Sequence, residues 1–375
     1  MHQYASIATA VYRRAIVENP NPSAPEGPAY ELPSWIWLVW LLNFILFLPL
    51  LLFIEYTIRQ IYPVLAIVEN ENPPAYEPVS LNDDSASLAE DAANGRPKPA
   101  GVSVSGNYPS HTVTSSMRGC HRVLRASGGF RANFRGIYCL LAQNIMTYML
   151  MGIFGASLGN GGSSVGTLLA HLSLVQFSAA WVHIVISAPS PERFWRRLPP
   201  FKRTFEATWK AVTLYWAAAE LTRWIPLLTA ALLRIKFNNE ITDSEPVQQP
   251  DGFGWRVLIV GLVAVLFSIL VLIPAHIVLV RVQASLLPED TETIIPFDRS
   301  FEGTVEPAVV GGKGYVTMRD AWKTFSRTAW RRIVKLYVKI YAISFAFGIF
   351  AGLVIGAQVM LVIANSKEVR KGGSN

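Results

Sequence analysis

Cysteine is nearly missing from this chain, with only Cys120 and Cys139 among 375 residues, so a disulfide framework is excluded. No Asn-x-Ser/Thr acceptor with a permitted middle residue occurs, and nothing marks a glycosylated, secreted fold. Charge is scarce too. Asp, Glu, Lys and Arg make up 16% against 51% hydrophobic residues, and mean hydropathy is +0.31, a balance that argues against a soluble globular chain of this length. The three histidines inside apolar runs, His171, His183 and His276, show no ligand spacing within a helix and no accompanying Cys, so no metal and no cofactor is expected. Gly311-Gly312-Lys313-Gly314 is not a phosphate loop, because it lacks both the Ser or Thr after the Lys and the upstream Gly. Ser, His and Asp residues are too dispersed for a hydrolytic triad. No catalytic residues are therefore expected, and the role should be non-enzymatic.

Long apolar runs, by contrast, are abundant. A helix needs about 20 apolar residues to cross the hydrocarbon of a bilayer. Six segments approach that length: 35–56, 136–158, 165–187, 211–233, 257–280 and 336–364. Trp35, Trp37 and Trp40 flank the first, where amphipathic rings favour the headgroup level. The short stretch Gly159 to Ser164 predicts a tight antiparallel pair between the second and third. The fourth is the least apolar, since Glu220 and Arg223 lie inside it. Pro49 and Pro274 are placed to kink their helices. The sequence thus predicts an all-α fold, a polytopic membrane bundle of about six transmembrane helices. Around the first span lie a Pro-rich N-terminal segment, 1–34, and a mostly disordered loop, 57–135; a five-helix membrane domain, 136–364, and a tail, 365–375, follow. In a rival arrangement residues 35–67 form a re-entrant hairpin bent at Pro49. A cleaved signal peptide is not expected, because the stretch Asn19 to Pro33 precedes the first apolar run.

The net charge of +7 points to anionic lipid and not to nucleic acid, because most Lys and Arg flank apolar runs. Arginines cluster after the first, third and fifth spans: Arg118 to Arg135, Arg193 to Arg203, and Arg319 to Arg332. The positive-inside rule assigns these segments to the cytosol and both termini to the other side. Residues 315–335 place Met318, Trp322, Phe325, Ala329 and Ile333 at three-and-four spacing among basic residues, which predicts an interfacial amphipathic helix.

Six features are candidates for function or assembly. Pro73-Pro74-Ala75-Tyr76 is a PPxY motif, and such segments enter aromatic-lined grooves of WW domains with little entropy loss. Pro73, Pro74 and Tyr76 would recruit WW-domain proteins, including ubiquitin ligases, which makes a membrane scaffold or adaptor the expected role and a small transporter or channel its alternative; a Pro-rich turn is the other reading of the motif. Glu220 and Arg223, three apart, share a helix face and would line a polar path in a small transporter or channel, or else form a structural ion pair. His183 and His276 would both sit near the cytosolic ends of their spans. Ser344, Gly348, Gly352 and Gly356 recur every four residues, a small-residue stripe that lets another helix approach, with Gly155 and Gly159 a shorter version. A brief repeat also brackets the first span: Ala15-Ile-Val-Glu-Asn19 recurs as Ala66-Ile-Val-Glu-Asn70. Cys120, flanked by Arg118 and Arg122, is a candidate for reversible acylation.

Three stretches carry a resemblance. They are AWVHIVISAPSPERFWR (180–196), IPAHIVLVRVQASLLPEDTETIIPFDRSF (273–301) and DAWKTFSRTAWRRIVKLYVK (320–339). Each resembles its counterpart in a group of fungal multi-pass membrane proteins of uncharacterised function, some labelled ubiquitin carrier or conjugating enzyme. The likeness covers roughly the C-terminal half of the chain. It implies a polytopic fold and brings no known catalytic residues. Conjugation requires a soluble domain presenting a catalytic cysteine, whereas Cys120 lies in a basic juxtamembrane stretch and Cys139 inside the second span.

Overall fold

Helix-forming apolar runs become helices throughout the computed structural model, which describes residues 29–31, 34–71, 112–158, 162–235, 252–306, 311–365 and 367–369. Pro73, Pro74 and Tyr76 lie outside the described residues, as does the middle of the expected loop. In chain order the elements are β1 (Ala29–Glu31), α1 (Ile36–Val68), α2 (Met117–Gly128), α3 (Ile137–Leu158), α4 (Gly162–Ser173) and α5 (Val175–Ile186). Then come α6 (Phe201–Leu232), α7 (Phe253–Ala284), α8 (Met318–Lys323), α9 (Arg327–Asn365) and β2 (Lys367–Val369). The only sheet among the described residues is the antiparallel pair β1 and β2, with Tyr30 opposite Glu368.

This is a helical membrane protein. Four helices, α1, α7, α9 and α3 with the α2 segment before it, are long and apolar enough to cross a membrane; a fifth crossing counts if α4 and α5 are one broken span. The expected six also include α6, which is 32 residues long but interrupted by charge. Three further expectations need correction. The third span is not one rod: it bends by 60° between α4 and α5. There Leu174 leaves helical geometry (φ −108°, ψ 22°) and the Ser173 hydroxyl bonds back to the Leu169 carbonyl, a contact that bends helices. The amphipathic helix 315–335 is two helices. Thr317 caps α8, while Ser326 caps α9 by accepting from the Ala329 N–H at 2.9 Å. Finally, α1 is continuous to Val68, which removes the re-entrant hairpin and turns the first residues of the loop, 57–68, into helix.

The chain divides into two units, residues 1–50 with 345–375, and residues 51–344. In the first, α1 and α9 run antiparallel. Asn43 Nδ2 donates to Gln358 Oε1 at 2.6 Å, and Phe47 meets Phe347 and Phe350 edge-on at 6.1 Å. The helices expose Trp37, Trp40, Phe44, Phe345 and Leu353, as lipid-facing surfaces do. Within this unit, a Cβ at Gly348, Gly352 or Gly356 would meet no atom within 4 Å, so the glycine stripe faces open space.

The second unit holds the packed core. Ile61, Leu65 and Ile67 of α1, Val175, Val185 and Ile186 of α5, and Ile273, Ile277 and Val282 of α7 are fully buried. Truncating such a side chain to Ala costs about 2–5 kcal/mol. α3 and α4 pack closely because Gly166 lies against Gly155, where a Cβ would come 3.0 Å from the backbone nitrogen. The Gly155 part of the shorter stripe is thus used within the chain. At the end of α1, Glu69 and Arg332 form a buried pair at 3.0 Å, with side chains 1% and 8% exposed. Glu69 also accepts from the Val113 and Thr114 N–H groups and the Thr114 hydroxyl. Cys120 is fully buried beneath this corner, which withdraws it as an accessible acylation site.

Candidate functional site

Both α1 and α7 contain a π-helical stretch, Phe53–Ile61 and Ser268–Leu272. The wider turn shows in the Tyr62 N–H bonding to the Thr57 carbonyl and the Ile273 N–H to the Ser268 carbonyl, each five residues back. Each stretch ends two residues before a proline, Pro63 or Pro274. A proline ring clashes with the carbonyl four residues earlier and cannot donate, and a local π turn relieves both problems without breaking the helix.

Between these two stretches, within the second unit, lies a cavity of about 410 Å³. Its polar lining comes from six helices. α1 supplies Glu55, Arg59 and Gln60, and α3 supplies Gln143. α5 adds Ser178, α7 adds His276 and Gln283, and α9 adds Tyr337 and Tyr341. Tyr215 of α6 completes the wall. The Glu55 carboxylate and Arg59 guanidinium pair at 2.8 Å, one helical turn apart and each about half exposed. His276 Nδ1 lies 2.9 Å from the Tyr337 hydroxyl, and the Tyr215 ring stands 5.6 Å from the imidazole. Gln283 Nε2 donates to Ser178 at 2.7 Å. Its backbone carbonyl accepts from His183 Nε2 at 2.8 Å, which places the His183 proton on that nitrogen, since a carbonyl cannot donate.

This lining offers donors, acceptors and one ion pair inside an otherwise apolar bundle. The volume falls in the range of small-molecule sites, roughly 300–1,000 Å³. Among the described residues no three His, Cys, Asp or Glu side chains are grouped to hold a metal ion. The arrangement suits hydrogen bonding to a small polar molecule.

No protein family, curated protein or solved structure matches the chain.

The sequence-predicted residues are distributed unevenly around this site. His276 lines it, but His183 points to Gln283 and the two histidines do not meet on a common ligand. Glu220 and Arg223 do form an ion pair, at 2.5 Å, on α6 away from the cavity. The Glu220 carboxylate also accepts from Trp224 Nε1 at 2.8 Å and Ser164 Oγ at 3.1 Å, and Trp216 Nε1 donates to the Ser164 carbonyl. This closed cluster ties α6 to the start of α4. Glu55, Arg59 and Gln143 were missed by sequence reasoning. A signal existed: Glu55 and Arg59, four apart, interrupt two apolar runs, Trp35 to Ile54 and Ile61 to Val68, that belong to one helix.

Proposed function

We propose that this protein is a non-enzymatic, six-span membrane protein whose central cavity receives a small polar solute, as in a small transporter or channel. The observation that carries the reading is the cavity itself. Polar groups from α1, α3, α5, α6, α7 and α9 converge on it toward the basic ends of the apolar runs, and ionisable residues within or beside spans are functional candidates by default.

The six-span count rests on direction. β1 pairs with β2 and α1 runs antiparallel to α9, so the number of crossings between them is even. At one end of α6, the Leu233 carbonyl accepts from Arg256 at the start of α7; nearer the other, the Tyr215 ring stands 5.6 Å from His276, and Ala211 and Val212 share a core with Val278 and Val282 toward the end of α7. An α6 antiparallel to α7 supports a crossing by α6 as well, the sixth span of this reading. The charge at Glu220 and Arg223 is tolerated because each neutralises the other. Basic segments after α1, α5 and α7 then share one face, the cytosolic one by the positive-inside rule.

A test needs no knowledge of the solute. In vesicles, Gln143→Cys should react with a small cationic methanethiosulfonate, which enters water but not hydrocarbon. Ala179→Cys, at a fully buried position in the same bundle, should not. Equal rates at the two positions would remove the hydrated cavity and with it this reading.

A second reading is an adaptor that recruits WW-domain proteins through Pro73, Pro74 and Tyr76. It is favoured by the anchoring just before the motif. Glu71 is held by the Ser326 and Thr328 hydroxyls, and the Asn70 N–H donates to the Pro296 carbonyl at 2.8 Å. The motif thus begins two residues beyond a fixed point on the basic face. Changing Tyr76 to Ala should abolish WW-domain pull-down; unchanged capture would eliminate this role. Kinship with the fungal multi-pass group is likewise a proposal. Its support is the sequence of the three resembling stretches, which here pack together: Ile294 N–H donates to the Ile186 carbonyl at 2.9 Å, and Arg281 donates to the Thr324 hydroxyl at 2.8 Å.

A further inference from the structure

A second cavity, of about 530 Å³, opens where α3 begins and α5 ends. Four arginines line it, Arg131, Arg135, Arg193 and Arg197, against a single acidic residue, Glu192. Tyr138, Ile184, Phe194 and Trp195 supply apolar wall, and Tyr138 and Trp195 are exposed. The guanidinium groups are incompletely satisfied. Arg135 Nη1 is fully buried yet has no hydrogen-bond partner among the described residues, and Arg197 is close enough to repel it. Arg197 gives one nitrogen to the Ser187 hydroxyl at 2.6 Å, and Arg193 stacks over Trp195 at 5.1 Å. Burial draws the Arg197 guanidinium below its usual value, a state that a nearby anion relieves.

We propose that this cavity binds the headgroup of an anionic phospholipid drawn from the leaflet on the basic side, one carrying more than a single negative charge. The position fits this occupant. The cavity sits at the ends of two apolar helices, where headgroups lie and where aromatic rings such as Trp195 and Tyr138 rest at the membrane boundary. Guanidinium forks match phosphate oxygens with paired hydrogen bonds, and the surplus of cations over the one carboxylate favours a polyanionic group. The apolar wall would take the glycerol and first methylenes, which a free phosphate cannot use. A fixed backbone supports the site: the Tyr56 hydroxyl donates to the Arg135 carbonyl at 2.5 Å, and Trp181 Nε1 donates to Tyr56 at 3.2 Å.

The experiment titrates the full chain, in phosphatidylcholine nanodiscs, with dioctanoyl phosphatidylinositol bisphosphate followed by calorimetry. Saturable binding is expected. Arg135→Gln and Arg193→Gln should each weaken it about fivefold, as loss of roughly 1 kcal/mol per basic residue implies, whereas Arg319→Gln, outside the cavity, should not. Should Arg135→Gln fail to fold, Arg193→Gln combined with Trp195→Ala makes the same test at exposed positions. Undiminished binding in these variants, or an equal loss in Arg319→Gln, overturns the site in favour of diffuse surface attraction. Inositol phosphate or inorganic phosphate binding as tightly as the lipid would overturn the lipid as occupant and leave a soluble anion in its place.

Discussion

Replacing Arg332 with Met should destabilise the protein more than any comparable change of a surface charge. Arg332 contacts Glu69 at 3.0 Å and Glu71 at 3.8 Å, and its second terminal nitrogen donates to the Ala66 carbonyl at 3.0 Å near the end of α1. Methionine keeps much of the volume but leaves a carboxylate buried without its cation. Removing one partner of such a pair costs about 3–5 kcal/mol. The lower end applies, because Thr114 and Val113 still donate to Glu69. At roughly 2–4 °C per kcal/mol for a large domain, the midpoint should fall by on the order of 10 °C. Tryptophan fluorescence during heating in detergent reads this directly. Adding Glu69→Gln to Arg332→Met should recover much of the loss, since the double variant no longer buries a lone charge. The half-exposed pair at Glu55 and Arg59 is the internal standard, and Arg59→Gln should cost no more than about 1 kcal/mol. A midpoint within about 2 °C of the parent for Arg332→Met, or effects of the two substitutions that simply add to within about 0.5 kcal/mol, would refute the argument.

Three further outcomes follow from local geometry. Gly136→Ala should cost on the order of 1–3 kcal/mol, read as a lower melting midpoint, because the residue has φ +77° and a new methyl would sit 3.1 Å from the Trp181 ring. Gly166→Leu should separate α3 from α4, since even a Cβ comes within 3.0 Å of Gly155; cross-linking between cysteines placed at Gly155 and Ser163, where a Gly155 Cβ lies 3.8 Å from the Ser163 Cα, should then lose efficiency. The turn at Phe301, Glu302 and Gly303, all at positive φ, should loosen in acid. Burial alone would raise the Asp298 carboxyl, but the Ser300 hydroxyl, the Glu302 and Ser300 N–H groups and the Arg281 charge more than offset this and leave it below its usual range. Its contribution is therefore full above the ordinary carboxylate pKa and vanishes as pH falls through the lower folded value. Proteolysis at this turn should rise with acidification in the parent, while Asp298→Asn should be equally cleavable at all pH values.

Sequence patterning revealed the spans because a bilayer imposes one requirement on every crossing: length in apolar residues. Apolar runs 257–280 and 336–364 fall within α7 and α9. Where packing within the protein replaces contact with lipid, that requirement lapses. Thr57, Ile58 and residues 61–68 are enclosed by protein, and the half-exposed Arg59 pairs with Glu55 one turn earlier, so the helix continues where hydropathy alone ends it early. The break at Thr324 was readable, since Thr317 followed by Asp320, and Ser326 before Arg327, are capping residues; the amphipathic spacing across them concealed it. Glu220 and Arg223 drew notice as charges in an apolar run, which is equally what a closed ion pair requires. Gln143 gave no comparable warning, because a single amide in a span carries no charge to flag it. Only the convergence of six helices reveals its neighbours.

The two widened turns in α1 and α7 have one more consequence. Each residue in a regular helix advances about 100° around the axis, so an extra residue accommodated in a wide turn rotates everything downstream by that angle. His276 follows such a turn and faces polar neighbours. Excising one residue from Ser268–Leu272 would restore regular winding and swing the imidazole toward a different neighbour, altering the chamber's chemistry without exchanging any of its side chains.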